Sequence, residues 1–294
     1  MTVPESLSDP RTSKGPELGE LAIVQDVEAG LIRLLAPNAS AMTLDGTNSY
    51  LIYGTDGSAI LLDPGPDSPT HLARISEVAR ERGLAIRAIC LTHHHQDHSE
   101  AAFTLASTLG VEVFAHPESF DKLSFRRLKL SGRISISGIS LEVIPTPGHC
   151  GDHLSFLLAS GVLLTGDHVL GRGTSVVAYP DGNLGQYLDS LNRVSEVDFT
   201  RLAPGHGPVM DKGLGEEVIS YYVAHRKARL DQLVEAILLN PQVTGEELVE
   251  IVYGHQLSEK IRWAALASTM AALRYLQDSG VVNQGEDGGF ELIR

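Results

Sequence analysis

Cysteine, positive charge and long hydrophobic runs are all scarce in this chain of 294 residues. Only Cys90 and Cys150 occur. Two are too few for a disulfide framework, so a reducing cytoplasm is the expected home. Lysine and arginine number 23 against 37 aspartates and glutamates, a formal charge of −14. That balance disfavours non-specific binding to nucleic acid, although a local basic groove would be compatible with it. No apolar run approaches the roughly 18 to 20 residues a membrane-spanning helix needs, so no membrane partner is expected. The opening stretch, MTVPESLSDPRTSKGPELGE, has no basic patch leading into an apolar segment. No secretory leader is expected there, and residues 1–18 read as a flexible polar tail. Internal repeats, low-complexity tracts, a G-x-S-x-G elbow and an H-E-x-x-H helix are absent as well.

A hydrophobic share of 43% and a charged share of 20% are ordinary for a soluble globular protein. The length suffices for one large domain or a domain with an appendage. Residues 20–53 read as short strands and turns, with LDGTNSYLIYG alternating around a polar turn. AILLDPGPD is an apolar strand stopped by Pro64 and Gly65. Leu72, Ile75, Val78 and Ala79 mark one face of a helix over 70–82. A strand over 84–91, a helix ended by Gly110 and the strand VEVFAH follow. This alternation argues for an α/β architecture. From 134 onward, closely spaced strands and the turn at Ser160-Gly161 suggest antiparallel pairing. The helix LGQYLDSLNRV and the strand TRLAPGH complete the unit, giving two sheets with helices outside. The expected main domain is 19–240, including a trailing helix over 214–239. Beyond Asn240-Pro241, a capping box from Thr244 to Glu247, a helical stretch ending at Gly280 and a terminal hairpin suggest a small winged-helix-like domain over 241–294.

The stretch CLTHHHQDH, at 90–98, places four histidines and an aspartate after a buried strand. In extended backbone, His93, His95 and Asp97 would share one face, with His98 brought round at the strand end and His94 and Gln96 opposite. Converging imidazoles and a carboxylate suit a borderline-soft divalent metal such as zinc. The plainer alternative is a polar cluster hydrogen-bonded to water. Three more apolar strands stop at a ligand-type residue beside glycine: His149 in VIPTPGH, Asp167 in VLLTGDH and His206 in RLAPGH. Five histidines and two aspartates can nearly complete the coordination of two ions, with Asp167 as bridge. Gly148 and Gly205 would let the backbone approach closely.

This pattern of His93, His95, Asp97, His98, His149, Asp167 and His206 resembles the metallo-β-lactamase superfamily over roughly residues 20–212. The resemblance implies an αββα sandwich with metals at one edge of the sheets. Carried onto these positions, it puts a first metal on His93, His95 and His149, and a second on Asp97, His98 and His206. Asp167 is then shared, and Asp97 and Asp167 are the catalytic carboxylates. Zinc is favoured by the histidines, while iron and manganese tolerate the same set. Two cations lower the pKa of a bridging water, to about 7 in single-zinc enzymes, so that hydroxide attacks a carbonyl carbon or a phosphorus.

True β-lactamases of the superfamily generally lack a bridging aspartate, so Asp167 argues against that activity. The segments LDGTNSYLI, HCGDHLSF, GDHVLGRGT, LAPGHGPV and YVAHRKARL are similar to the β-lactamase-like endoribonucleases, and equally to thioesterases that release polyketides from carrier proteins. Cys150 departs from the threonine common after the loop histidine and reads as a small packing residue. The substrate is thus a small or carrier-bound acyl compound, or single-stranded RNA. A non-catalytic metal-binding module is the third reading, opposed by the complete ligand set. Asn48 is a candidate donor to a substrate oxygen, His153 and His168 candidate orienting or proton-donating groups, and Arg172 and Thr174 candidate cleft residues. Arg126, Arg127, Lys129 and Arg133 form a basic run better read as solvated surface, and Tyr221, Tyr222 and His225 as packing that would also suit a cleft wall. From 241 onward, four basic and eight acidic residues oppose a nucleic-acid grip and favour packing against the main domain.

Overall fold

The computed structural model describes residues 7–12, 14–120, 125–128, 132–254 and 257–293. Part of the expected tail and Lys129 lie outside them. Four antiparallel strands open the first sheet: β1 (Val24–Glu28), β2 (Leu31–Leu35), β3 (Asn48–Tyr53) and β4 (Ser58–Leu62). Helix α1 (Pro69–Glu81) then crosses over, so that β5 (Ala85–Cys90) pairs parallel to β4. After the short helix α2 (Gln96–Ser99) and helix α3 (Ala102–Leu109), β6 (Glu112–Ala115) and β7 (Arg126–Arg127) extend the sheet in parallel.

The second sheet is built from β8 (Gly132–Ile136), β9 (Ile139–Pro145), β10 (Leu154–Leu158) and β11 (Val162–Gly166), all antiparallel. Helix α4 (Leu184–Ser195) returns the chain to β12 (Arg201–Pro204), parallel to β11, and β13 (Met210–Asp211) closes the edge. Long helix α5 (Lys212–Leu239) follows, then α6 (Gly245–Tyr253), α7 (Glu259–Asp278) and the hairpin β14 (Val282–Gln284) with β15 (Phe290–Leu292).

Alternation along the strands explains the layering. Leu31, Ile52, Leu62 and Cys90 face Leu141, Phe156 and Leu164 of the second sheet. Their chain neighbours Ile32, Leu51, Leu61 and Ile89 turn outward onto α1 and α3. In the second sheet Leu163 and Leu202 turn outward onto α4 and α5. Each central strand is covered on both faces, which is why these segments read as unbroken apolar runs. The result is the expected αββα arrangement.

Helix α6 begins with the capping box foreseen at Thr244 and Glu247. Val243, Leu248, Leu273 and Phe290 join Tyr187, Val218 and Leu233 in one buried cluster, so the C-terminal helices rest on α4 and α5. Helix α5 begins at Lys212, with Asp211 accepting from the Leu214 N–H. The described part of 1–18 is held to the main body at Arg11. Arg11 is buried, donates to the carbonyl oxygens of Leu170 (2.7 Å) and Gly173 (2.5 Å), and pairs with Asp9 at 2.6 Å. Its guanidinium lies 5.5 Å from the Tyr222 ring, a favourable cation–π stack.

Phe156 is fully buried between the sheets. Phe156→Ala is therefore expected to cost about 3 to 5 kcal/mol of stability, measured by urea denaturation.

Candidate metal centre

The parallel pairs β4/β5 and β11/β12 run their carboxyl ends to one edge of the sandwich, where β9 also ends. The sheets are joined there: the Asn48 N–H donates to the Gly205 carbonyl at 2.7 Å, within an isolated antiparallel bridge between Thr47 and His206. Gly205 is needed for this closeness, since a Cβ on it would lie 2.5 Å from Asp167 Oδ1. Gly148, at φ +136°, packs on the Tyr187 backbone, and a Cβ there would lie 2.3 Å from the Tyr187 Cα.

Strand β5 stops at Cys90, which corrects the expected strand-face geometry. His93 and His95 lie in the loop that follows, and Asp97 and His98 on α2. Of the two residues expected to turn away, His94 does, meeting Asp152 at 2.8 Å, whereas Gln96 lines the cleft. All seven predicted residues nevertheless converge. His149 Nε2 is 3.0 Å from His95 Nδ1 and 3.7 Å from Asp167 Oδ2. On the other side, Asp167 Oδ1 is 3.3 Å from both His98 Nε2 and His206 Nε2. Asp97 Oδ2 is 3.3 Å from His98 Nε2 and 3.2 Å from His206 Nε2. The two oxygens of Asp167 thus face two separate groups.

Outward hydrogen bonds fix which ring nitrogen faces inward. Thr92 donates its hydroxyl to Asp63 (2.7 Å) and so accepts from His93 Nδ1 (2.9 Å). His98 Nδ1 donates to Asp63 (2.8 Å), His149 Nδ1 to the Val176 carbonyl (2.6 Å) and His206 Nδ1 to the Gly46 carbonyl (3.1 Å). His95 is reversed: Nε2 donates to Asp181 (3.2 Å), leaving Nδ1 toward His149. Five ring nitrogens left free of these outward bonds therefore converge with two carboxylates. Ligands held tetrahedrally at 2.0 to 2.1 Å from a zinc ion stand roughly 3.3 Å apart, the spacing seen here. His93 Nε2 and Asp167 Oδ1 are buried without a hydrogen-bond partner, as groups awaiting a cation would be. The residues fit a metal pair.

Electrostatics divide the set. Burial, reinforced by neighbouring imidazoles, pushes His93 well below the usual histidine range, and burial lowers His149 to about 4. Burial also opposes charge on His206, yet Asp167 and Asp97 outweigh it and raise the imidazole to about 10. His98 is raised well above its ordinary value against the same burial, by Asp97, Asp167 and Asp63. Asp97 and Asp167 are held low despite burial, by His98 and His206. The carboxylates thus draw positive charge onto His98 and His206, while His93 and His149 stay neutral.

The secondary candidates fare differently. Asn48 is buried with both amide protons committed to the Pro204 and Gly207 carbonyls and its oxygen to Arg33, so it cannot serve a substrate. His153 accepts from the Asp167 N–H at 3.0 Å while Nδ1 meets Thr146 at 2.8 Å; it positions Asp167 and is sealed from the cleft. His168 is fully buried against Tyr187. Arg172 is spent on Asp45 (2.8 Å) and the Pro16 carbonyl, and Thr174 is outside the cleft lining. Tyr222 supports the loop above it through Leu170 and Gly173. Arg126 pairs with Glu112 and Arg133 with Glu142, away from the centre. Cys150 is buried and donates to Asp152 at 3.1 Å. Sequence reasoning missed Asp63 and Asp181; Asp63 had the same signal as the ligands, a polar residue ending an apolar strand beside Pro-Gly.

A cleft of about 470 Å³ opens over the cluster, walled by Met42, Val176, Ala178, Tyr179, Pro180 and Trp263. Two face-packed sheets with such a cluster at one edge define an αββα hydrolase of the metal-binding kind. Residues 42–206 match the family model described as Metallo-beta-lactamase superfamily, and the chain belongs to that superfamily. It is 32% identical over 246 residues to a beta-lactamase-like protein 2 homolog of Drosophila melanogaster, covering 78% of this chain and 82% of that one. It is 34% identical to lactamase-like protein aptB of Emericella nidulans, over 77% and 71% of the two chains. A beta-lactamase domain protein from Burkholderia ambifaria shares the fold, with a TM-score of 0.79 at 24% identity over 97% and 96% of the two chains.

Asp63 orients two rings at once, so Asp63→Asn is expected to weaken zinc binding about 10- to 100-fold, read by competition with a chromophoric chelator. A second expectation concerns pH. A group raised from 6.5 to about 10 on folding stabilises fully below 6.5, and that contribution is lost as pH rises through 10. Chelator-stripped protein should therefore lose melting temperature across this interval. Zinc-loaded protein, whose His206 Nε2 would carry no proton, should lose less.

Proposed function

We propose that the chain is a binuclear metal-dependent hydrolase of thioesters, with zinc as its metal and a small or carrier-bound acyl compound as substrate. His93, His95 and His149 would hold one cation, Asp97, His98 and His206 the other, and Asp167 both. Bound there, the pair would supply an activated water and a Lewis acid for the carbonyl oxygen.

The observation that carries this reading is the composition of the cleft. Among the described residues, its ionisable lining consists of histidine, aspartate and tyrosine, without lysine or arginine. A strand of RNA needs cationic side chains along its path. Departure of an alkoxide needs a proton donor, yet His153 and His168 are sealed beneath the edge. Asp181, the cleft carboxylate outside the cluster, is held ionised by its bond to His95. A thiolate, with a pKa of about 8.5, leaves without such help. The chain's own part is therefore to hold the cluster, exclude bulk water from one side and receive an acyl group against apolar walls.

Metal-loaded protein should release thiol from an acyl thioester panel and leave labelled single-stranded RNA intact. Asp97→Ala is expected to lower thioester turnover by about 10²-fold or more. RNA cleavage that Asp97→Ala abolishes, with thioesters untouched, would overturn the reading.

A further inference from the structure

Three exposed apolar side chains cluster around the mouth of this cleft: Trp263 (60% exposed), Tyr179 (49%) and Met42 (44%). Scattered singly, such residues need no explanation, but a rim of them over a reactive centre does. Trp263 belongs to α7, far along the chain from the metal cluster. Its placement is fixed by a backbone bond from the Tyr179 N–H to the Ala267 carbonyl at 3.3 Å. Ala267 is buried, and Trp263 lies four residues before it, on the same helix face. That face is turned to the 176–181 loop, whose Val176 carbonyl orients His149 and whose Asp181 orients His95. Neighbouring Arg262 is paired with Glu250 at 3.3 Å, so among the described residues α7 offers the cleft an indole and no charge.

We propose that Trp263 is a specificity-determining residue, the outer wall of an apolar subsite that selects thioesters with an extended hydrocarbon acyl group over acetyl. This rests on the thioesterase reading and names the substrate class within it. An acetyl group would fill little of the 470 Å³ and leave the indole wet. A longer chain reaches the rim and is desolvated between Trp263, Tyr179 and Met42.

Trp263 is the single tryptophan of the chain, so its fluorescence reports occupancy without turnover. The test compares acetyl and octanoyl thioesters of N-acetylcysteamine on full-length wild type, Trp263→Ala and Trp263→Phe, alongside titration of wild type with octanoate. The octanoyl-over-acetyl ratio of kcat/KM should fall ~10-fold in Trp263→Ala, through KM, and recover largely in Trp263→Phe. Octanoate should shift and quench the emission saturably. If both thioesters turn over but the ratio is unmoved and octanoate is silent, the subsite fails while the thioesterase reading stands. If neither turns over but octanoate saturates the signal, the subsite stands and the thioesterase reading fails. Quenching by oligouridylate that weakens with salt, with octanoate silent, would overturn both in favour of RNA.

Discussion

Five histidines can present bare nitrogens to one centre because each gives up its remaining N–H to a fixed acceptor on the far side. Without those acceptors the rings could flip or exchange tautomers, and the convergent lone pairs would dissolve into an ordinary polar cluster. Asp63 serves two of the five, taking His98 directly and His93 through Thr92. Backbone carbonyls of Val176 and Gly46 serve His149 and His206. The reversed ring, His95, needs an acceptor on the cleft side, and Asp181 is there. The backbone beneath is set by the same logic, since neutral His153 receives the Asp167 N–H.

Much of this was legible in the sequence for a physical reason. Apolar strands buried on both faces leave unbroken runs, and a polar residue that ends such a run beside glycine has to meet something. His149, Asp167 and His206 all announce themselves this way. The turn of α2 is not legible: four helical residues leave no periodicity, so the strand-face reading brings Asp97 and His98 to the cluster by the wrong backbone geometry. Asn48 and Arg172 looked available because their partners, Pro204, Gly207, Asp45 and Pro16, lie far away in the chain. Trp263 was illegible for the same reason, as nothing local shows that α7 docks over the cleft. Arg11 shows how one well-placed guanidinium can tie down a stretch whose composition reads as loose.

Access from solvent also separates this edge from a merely structural site. Closed structural sites complete their shell with protein atoms alone. Here Asp97, Asp167, His95, His149 and His206 line an open cleft, whose walls are apolar and whose floor is ionic. Such a contrast favours a substrate with one reactive polar bond and an otherwise greasy body.

Finally, the seven converging side chains come from both layers of the sandwich: four follow β5, and three follow β9, β11 and β12. A cation seated among them is a cross-link between positions about a hundred residues apart, and it shortens the longest loop an unfolding chain could otherwise open. Stripping the metal should then loosen the seam between the layers first, with Thr47 and Asn48 letting go of His206 and Gly205 before either sheet melts.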